Sequence, residues 1–249
     1  MKLSFEQKAS MLKNGYIHVP GVIPKVMVDQ AMRQINHSVG EGMDPAKMPT
    51  YRSQSFCPEL QDLPVIAGLF NDTPVKALVE DLIGHGEAKP VGSGQIALRF
   101  PTLQDPPKRP QPHLDGMYTP FNGMEEGTIG NFTMLVGVLL SPVRDDYAGN
   151  FTVWPGTHAL YESYFREHGP EALLNGMPPV ELPEPIQTKG EPGDVFLVHY
   201  QLAHGVATNV SPLTRYAIFF RVKHSEHEAD WKAPMKDIWL HWPGIREIQ

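Results

Sequence analysis

The chain has 249 residues, 41% of them hydrophobic, and a formal net charge of -7. That length and apolar content suffice for a large core in one domain. The acidic balance, without clustered Lys and Arg, excludes nucleic acid as the expected partner. The single cysteine, Cys57, rules out an internal disulfide, and with no signal-peptide pattern or apolar run of about 18 residues a cytoplasmic protein without membrane attachment is expected.

Ser4 and Gln7 make a capping-box pattern before Phe5, Ala9 and Leu12, which recur at helical spacing, and Gly15 supplies a stop. Pro24 opens a second helix with the stripe Val28, Ala31, Met32 and Ile35. Thr73-Pro74 opens a third, with Val75, Leu78, Val79, Leu82 and Ile83 on one side before Gly84. From about residue 90 the period shortens. Runs at Gln95 to Phe100, Phe132 to Leu140, Phe151 to Trp154, Val195 to His199 and Tyr216 to Val222 are rich in Val, Ile, Phe and Thr and are divided by turn residues. The expected fold is mainly β with flanking helices, a double-stranded β-helix (jelly-roll, cupin-like barrel) whose open mouth gathers strand-borne side chains. Within one domain, 1–249, residues 1–90 are expected to form a helical buttress. Residues 91–223 would form the barrel core with a helical insertion at 157–176, and 224–249 a C-terminal tail that covers an edge or meets another subunit.

The chemistry concentrates in His113-Leu114-Asp115. In an extended chain residues i and i+2 share a face, so His113 and Asp115 can reach one metal ion while Leu114 turns away. His204, 91 positions later on an alternating segment that begins Gly193-Asp194, is a candidate third ligand. Two imidazoles and a carboxylate on one face of an octahedral ion leave three positions open, enough for a bidentate 2-oxo acid and dioxygen. Arg215 opens the last strand and is expected beside His204 in an antiparallel pair. Its planar fork suits the far carboxylate of 2-oxoglutarate, and an unpaired cation beside the apolar run Tyr216 to Phe220 would otherwise be costly.

Taken alone, His-x-Asp is more often a surface turn than a metal site; with His204 and Arg215 the balance reverses. His199 competes as distal ligand, but an offset of five puts it on the opposite face of a continuous strand. Arg99 shares a face with Gln95 and suits either a substrate or a structural ion pair. Tyr118 reads as core packing before pocket lining, and His158 as a turn-shaping residue. His224, Glu226, His227 and Glu228 read as a solvated charged segment.

Together, His113-Leu114-Asp115, the turn Gly149-Asn150-Phe151-Thr152-Val153-Trp154-Pro155-Gly156-Thr157-His158, Gly193-Asp194, His204-Gly205 and Arg215 resemble the phytanoyl-CoA dioxygenase-like family of Fe(II)/2-oxoglutarate oxygenases. The resemblance runs from about residue 5 to about residue 223. It implies Fe(II), 2-oxoglutarate and O2 as cofactors and a small molecule as substrate, hydroxylated with release of succinate and CO2. It further implies His113, Asp115 and His204 as catalytic iron ligands, Arg215 as the anchor of the distal carboxylate, and Gln95 as a further cosubstrate contact. The sequence departs from the family in having no tryptophan between Asn131 and Leu140 and no serine just before Arg215. Halogenation is disfavoured because Asp115 fills the position a halide needs. The alternative from another class is a non-oxidative metal-dependent jelly-roll protein, an isomerase, hydrolase or ligand-binding module. A lipid-like or secondary-metabolite substrate is expected, roofed by the segments 101–112, 118–130 and 161–176.

Overall fold

The computed structural model describes residues 1–249. The N-terminal part contains α1 (Phe5–Asn14), β1 (Tyr16–Val19), α2 (Lys25–Gly40), α3 (Met48–Ser53), α4 (Pro64–Asn71) and α5 (Pro74–Ile83). Then come β2 (Gln95–Arg99), β3 (Met134–Leu139), β4 (Phe151–Val153), α6 (Thr157–His168), β5 (Ile186–Gln187), β6 (Val195–His199), β7 (His204–Val206), β8 (Arg215–Val222), α7 (Ala233–Lys236) and α8 (Pro243–Arg246). No helix is long and apolar enough to cross a membrane. Ser4 and Gln7 cap α1 reciprocally, and Gly15 ends it in the left-handed conformation.

All strands pair antiparallel, in a five-stranded sheet ordered β1-β6-β3-β8-β2 and a three-stranded sheet ordered β5-β4-β7. The architecture is the expected jelly roll with flanking helices. Its two cores follow from strand parity. Met134, Val136 and Val138 of β3, Val195 and Leu197 of β6, and Ile218, Phe220 and Val222 of β8 join the core that includes the apolar faces of α2, α4 and α5. Their alternates Leu135, Leu139, Phe196, Val198 and Ala217 join the core that contains Phe151 and Val153 of the small sheet. The central strands β3 and β6 are therefore buried on both faces, which is why they read as almost continuous hydrophobic runs.

Several elements depart from expectation for local reasons. The α4 segment, PVIAGLFN, is apolar nearly all round and includes Gly68, so almost no polar residue marks its outer face, and α3 is only six residues long. β6 and β7 are not one strand: the chain turns at Tyr200–Gln201 and crosses from the large sheet to the small one. His199 is thereby removed from His204. Its Nε2 donates to the Ile238 carbonyl at 3.0 Å, its Nδ1 accepts from the Gln201 amide at 3.1 Å, and its ring stacks on Trp242. Both nitrogens are committed, so His199 is a packing residue. His158 packs beside it, 5.5 Å between ring centroids, with Nε2 against the Leu12 carbonyl.

The tail is also less exposed than its charges suggest. His224 and His227 are buried while Glu226 and Glu228 are exposed, and Trp239, Trp242 and Ile245 join the helical core. His224, Glu226 and His241 stand close enough to invite a metal-site reading. The His224 and His241 rings, however, stack 4.4 Å apart at 7°, so their nitrogen lone pairs lie in nearly parallel planes and do not converge on one point.

Asp194 ties the start of β6 to the turn after β1. Its carboxylate accepts from His18 Nε2 at 2.8 Å, from the Gly21 amide at 2.8 Å and from the Glu191 amide at 2.9 Å. Asp194→Ala strands these donors and should lower the stability measured by urea unfolding by about 2–4 kcal/mol. The buried histidines set the acid limit. Burial lowers His158 to about 4 and His227 to about 4, and burial with the neighbouring His158 holds His199 well below its ordinary value. As pH falls below about 6.5 the unfolded chain takes up protons on these imidazoles before the folded one does. Stability is thus fully present above that pH and declines as pH drops toward 4. Urea midpoints measured from pH 7.5 to 4.5 should fall steadily, and a flat profile would contradict neutral burial.

Candidate metal centre

The centre begins as a backbone pairing. His113 donates its amide to the His204 carbonyl at 2.8 Å and His204 donates to the His113 carbonyl at 3.1 Å, a closed antiparallel pair between segments far apart in the chain. Directly opposed residues of such a pair project to the same side, and the two imidazole centroids are 4.4 Å apart. Gly205 permits the approach, because a Cβ there would lie 2.3 Å from the Gln111 carbonyl oxygen. Asp115 follows on the same face: its Oδ1 is 3.6 Å from His113 Nε2 and 3.8 Å from His204 Nε2. Leu114, between them, is buried in the second core and borders the cavity.

Each of these groups has a free ligand atom. His204 Nδ1 lies 3.0 Å from the Leu202 carbonyl; donating there, it leaves the Nε2 lone pair for a metal. Burial, with His113 beside it, lowers His204 to about 4, so it is neutral at pH 7. Burial alone would raise the Asp115 carboxyl, but Arg221, with His113 and His204, holds it well below the usual carboxylate range. Arg221 donates from Nε at 3.0 Å and lies 2.9 Å away through Nη2, both to Oδ2. Oδ1 is left toward the imidazoles. Metal bonds of about 2.1 Å put cis ligand atoms about 3 Å apart, so a small inward movement of the three side chains would seat an ion, and two imidazoles with one carboxylate suit ferrous iron.

The site opens into a cavity of about 590 Å³ between the sheets. On β2 and β8 the odd-numbered residues face it, in the register Gln95↔Phe219, Ala97↔Ala217 and Arg99↔Arg215. Arg215 is only 3% exposed, and donates from Nε to Gly149 O at 2.7 Å and from Nη1 to Ala97 O at 2.9 Å. Nη2 is left for a ligand. Contrary to expectation, Arg215 does not pair beside His204: β7 pairs with β4, while β8 lies between β3 and β2 in the other sheet. The guanidinium reaches the same cavity from the opposite wall. Gln95 lines it too, accepting from Arg221 Nη1 at 3.0 Å through Oε1 and donating from Nε2 to Ser53 O at 3.3 Å. The missing tryptophan has a local counterpart. A Cβ on Gly137 would lie 2.8 Å from Phe219 Cε1, so the Phe219 ring of β8 covers the bare position on β3.

Other expectations are revised. Tyr118 is exposed and does not line the cavity. Of the three segments expected as a roof, only 118–130 contributes, through residues such as Asn122 and Met124, and α3 supplies Arg52 and Ser53 instead. Arg221 escaped the sequence reading. It lies six residues after Arg215, an even offset that puts both on one strand face, and that spacing was the available signal.

The sequence model of the phytanoyl-CoA dioxygenase family matches residues 11–217. No curated protein matches the chain in sequence. Among solved structures, HygX from Streptomyces hygroscopicus with nickel and 2-oxoglutarate bound is 18% identical, with 90% of this chain and 88% of that chain covered at a TM-score of 0.58. EctD from S. alaskensis with 2-oxoglutarate and 5-hydroxyectoine is 19% identical, covering 89% of this chain and 76% of that chain at 0.59. The alpha ketoglutarate dependent epimerase SnoN from nogalamycin biosynthesis is 19% identical, covering 86% and 78% at 0.57. At such identities the likeness is one of fold, while the family match extends over most of the sequence. The chain therefore belongs to the phytanoyl-CoA dioxygenase family, whose members use Fe(II), 2-oxoglutarate and dioxygen.

Proposed function

We propose that the protein hydroxylates a small organic molecule, with His113, Asp115 and His204 as the iron ligands and Arg215 as the anchor of the cosubstrate's distal carboxylate. What supports this reading is the convergence of two imidazoles and one carboxylate on a single face, with a buried guanidinium on the opposite wall of the same cavity. In the overall reaction substrate C–H, O2 and 2-oxoglutarate give substrate C–OH, succinate and CO2. Iron, when bound, would let dioxygen act as the four-electron oxidant, with two electrons from the substrate C–H bond and two from the oxidative decarboxylation of the 2-oxo acid.

The residues of the chain bind and orient. Arg215, fixed through Gly149 and Ala97, presents a rigid donor to a carboxylate. Arg221 holds Asp115 Oδ2, which would leave Oδ1 for the metal, and Gln95 steadies Arg221 from the other side. Phe151 and Phe219, 5.3 Å apart, form an apolar wall that limits water near the metal face. Hydroxylation is the simplest outcome of this arrangement. Because the structural neighbours include an epimerase and a carbocyclase, oxygen transfer is tested separately.

Under anaerobic conditions Fe(II) and 2-oxoglutarate should give a visible charge-transfer band, and in air succinate should form slowly without substrate. A protein that shows neither belongs to the non-oxidative class of jelly-roll metalloproteins. With a substrate in hand, 18O2 should place one labelled atom in the product; unlabelled product would indicate epimerisation or ring closure. Arg215→Ala should weaken 2-oxoglutarate binding by about 100-fold, in keeping with a lost charge-assisted contact of roughly 2–3 kcal/mol, with Fe(II) binding changed far less. Arg221→Ala should show the converse pattern: Fe(II) affinity measured by metal titration should fall by about 10- to 100-fold, the usual effect of removing a group that orients a ligand.

A further inference from the structure

The cavity holds more positive charge than the proposed reaction uses. Four arginines line it, Arg52, Arg99, Arg215 and Arg221, against one carboxylate, Asp115. Arg221 and Asp115 cancel one another, and on the iron and 2-oxoglutarate reading a ferrous ion and a dianionic cosubstrate cancel as well. Three guanidinium charges remain, and none of Arg52, Arg99 or Arg215 has a carboxylate within the 4.0 Å of an ion pair. Arg99 and Arg215 are direct cross-strand partners. Like charges so placed are destabilising.

The local structure holds them together nonetheless. Gly149, at φ +74, lies over both stems: a Cβ there would be 2.8 Å from Arg99 Cβ and 3.2 Å from Arg215 Cβ. Arg215 is tied down by two carbonyls, whereas Arg99 donates only from Nη1 to the carbonyl of its neighbour Leu98, at 2.9 Å, leaving most of its donors unused. Burial, and Arg52 beside it, lower Arg99 to about 10, still protonated at neutral pH. A half-buried cation with spare donors, next to a second cation and facing a cavity, is an arrangement that an anion completes. Arg215 already has the position for the cosubstrate, so the surplus lies on Arg99 and Arg52.

We propose that Arg99, flanked by Arg52, forms a second anion subsite that holds a carboxylate or phosphate group of the primary substrate. This rests on the iron and 2-oxoglutarate reading of the adjoining centre, and it replaces the lipid-like substrate expected from sequence with an anionic one. Arg99 and Arg52 are specificity-determining residues here and touch neither iron nor its ligands.

The test titrates inorganic sulfate, which keeps ferrous ion soluble, into the anaerobic complex with Fe(II) and 2-oxoglutarate. Calorimetry follows sulfate, and the visible charge-transfer band follows 2-oxoglutarate. Sulfate should bind with the band unchanged. Arg99→Gln should weaken sulfate by about tenfold and Arg52→Gln by about threefold, with 2-oxoglutarate affinity kept within about threefold of the parent. Sulfate that displaces 2-oxoglutarate, or an Arg99→Gln protein that loses 2-oxoglutarate as Arg215→Ala should, assigns Arg99 to the cosubstrate and overturns the proposal. So does sulfate binding unaffected by either substitution. Arg52 is exposed on α3, so Arg52→Gln decides the matter if Arg99→Gln does not fold. A parent protein without any charge-transfer band overturns the cosubstrate reading alone, because sulfate binding to the metal-free protein and its loss in Arg99→Gln still report on the subsite.

Discussion

The arrangement depends on the closed backbone pair between His113 and His204. It is short and belongs to no long ladder, yet it sets two imidazoles side by side and carries Asp115 onto the same face two residues on. Everything else keeps that pair in register. Gly205 lets the 111–113 segment approach, the buried Leu114 anchors the loop in the core, and β4 fixes β7 from its other edge. A shift of one residue at either strand would turn the imidazoles to opposite sides.

The second principle of the fold is an electrostatic balance struck without many acids. The cavity between the sheets is rich in guanidinium groups, and the protein tolerates them by giving each a different support. Arg221 has a carboxylate, Arg215 two carbonyls, Arg99 a single carbonyl of its own strand. This grading follows function: the arginine that neutralises Asp115 has a partner for each nitrogen, the one that faces a small dicarboxylate is rigid with one nitrogen spare, and the one with most unused donors looks onto the remaining space. Buried polar groups that stay underused in a well-packed protein are expected at binding sites rather than in structural positions.

Much of this was legible in the sequence, because period-two alternation and the i, i+2 rule carry directly into three dimensions. Strands β2, β3, β6 and β8 of the large sheet, the caps of α1 and α5, and the closeness of His113 to Asp115 follow from residue spacing alone, whereas β1 was not marked by it. What was hidden depended on long-range placement. Nothing in Tyr200 to Ala203 marks a chain reversal by glycine or proline, so the separation of His199 from His204 came from a change of sheet rather than from strand parity. Arg221 stands near the end of an apolar strand, and the carboxylate that explains it, Asp115, lies 106 residues earlier in the chain. His224 and His227 looked solvated beside their glutamates, yet His241 stacks on His224 and packs against His227, and that packing leaves no periodic signal.

The most direct test is a crystal structure grown anaerobically with Fe(II) and 2-oxoglutarate. The account requires one ion within about 2.0–2.3 Å of His113 Nε2, Asp115 Oδ1 and His204 Nε2, Arg221 still on the other carboxylate oxygen, and the distal end of the cosubstrate at Arg215. An ion bound by other residues, or Asp115 turned wholly to Arg221 and away from the metal, would contradict it.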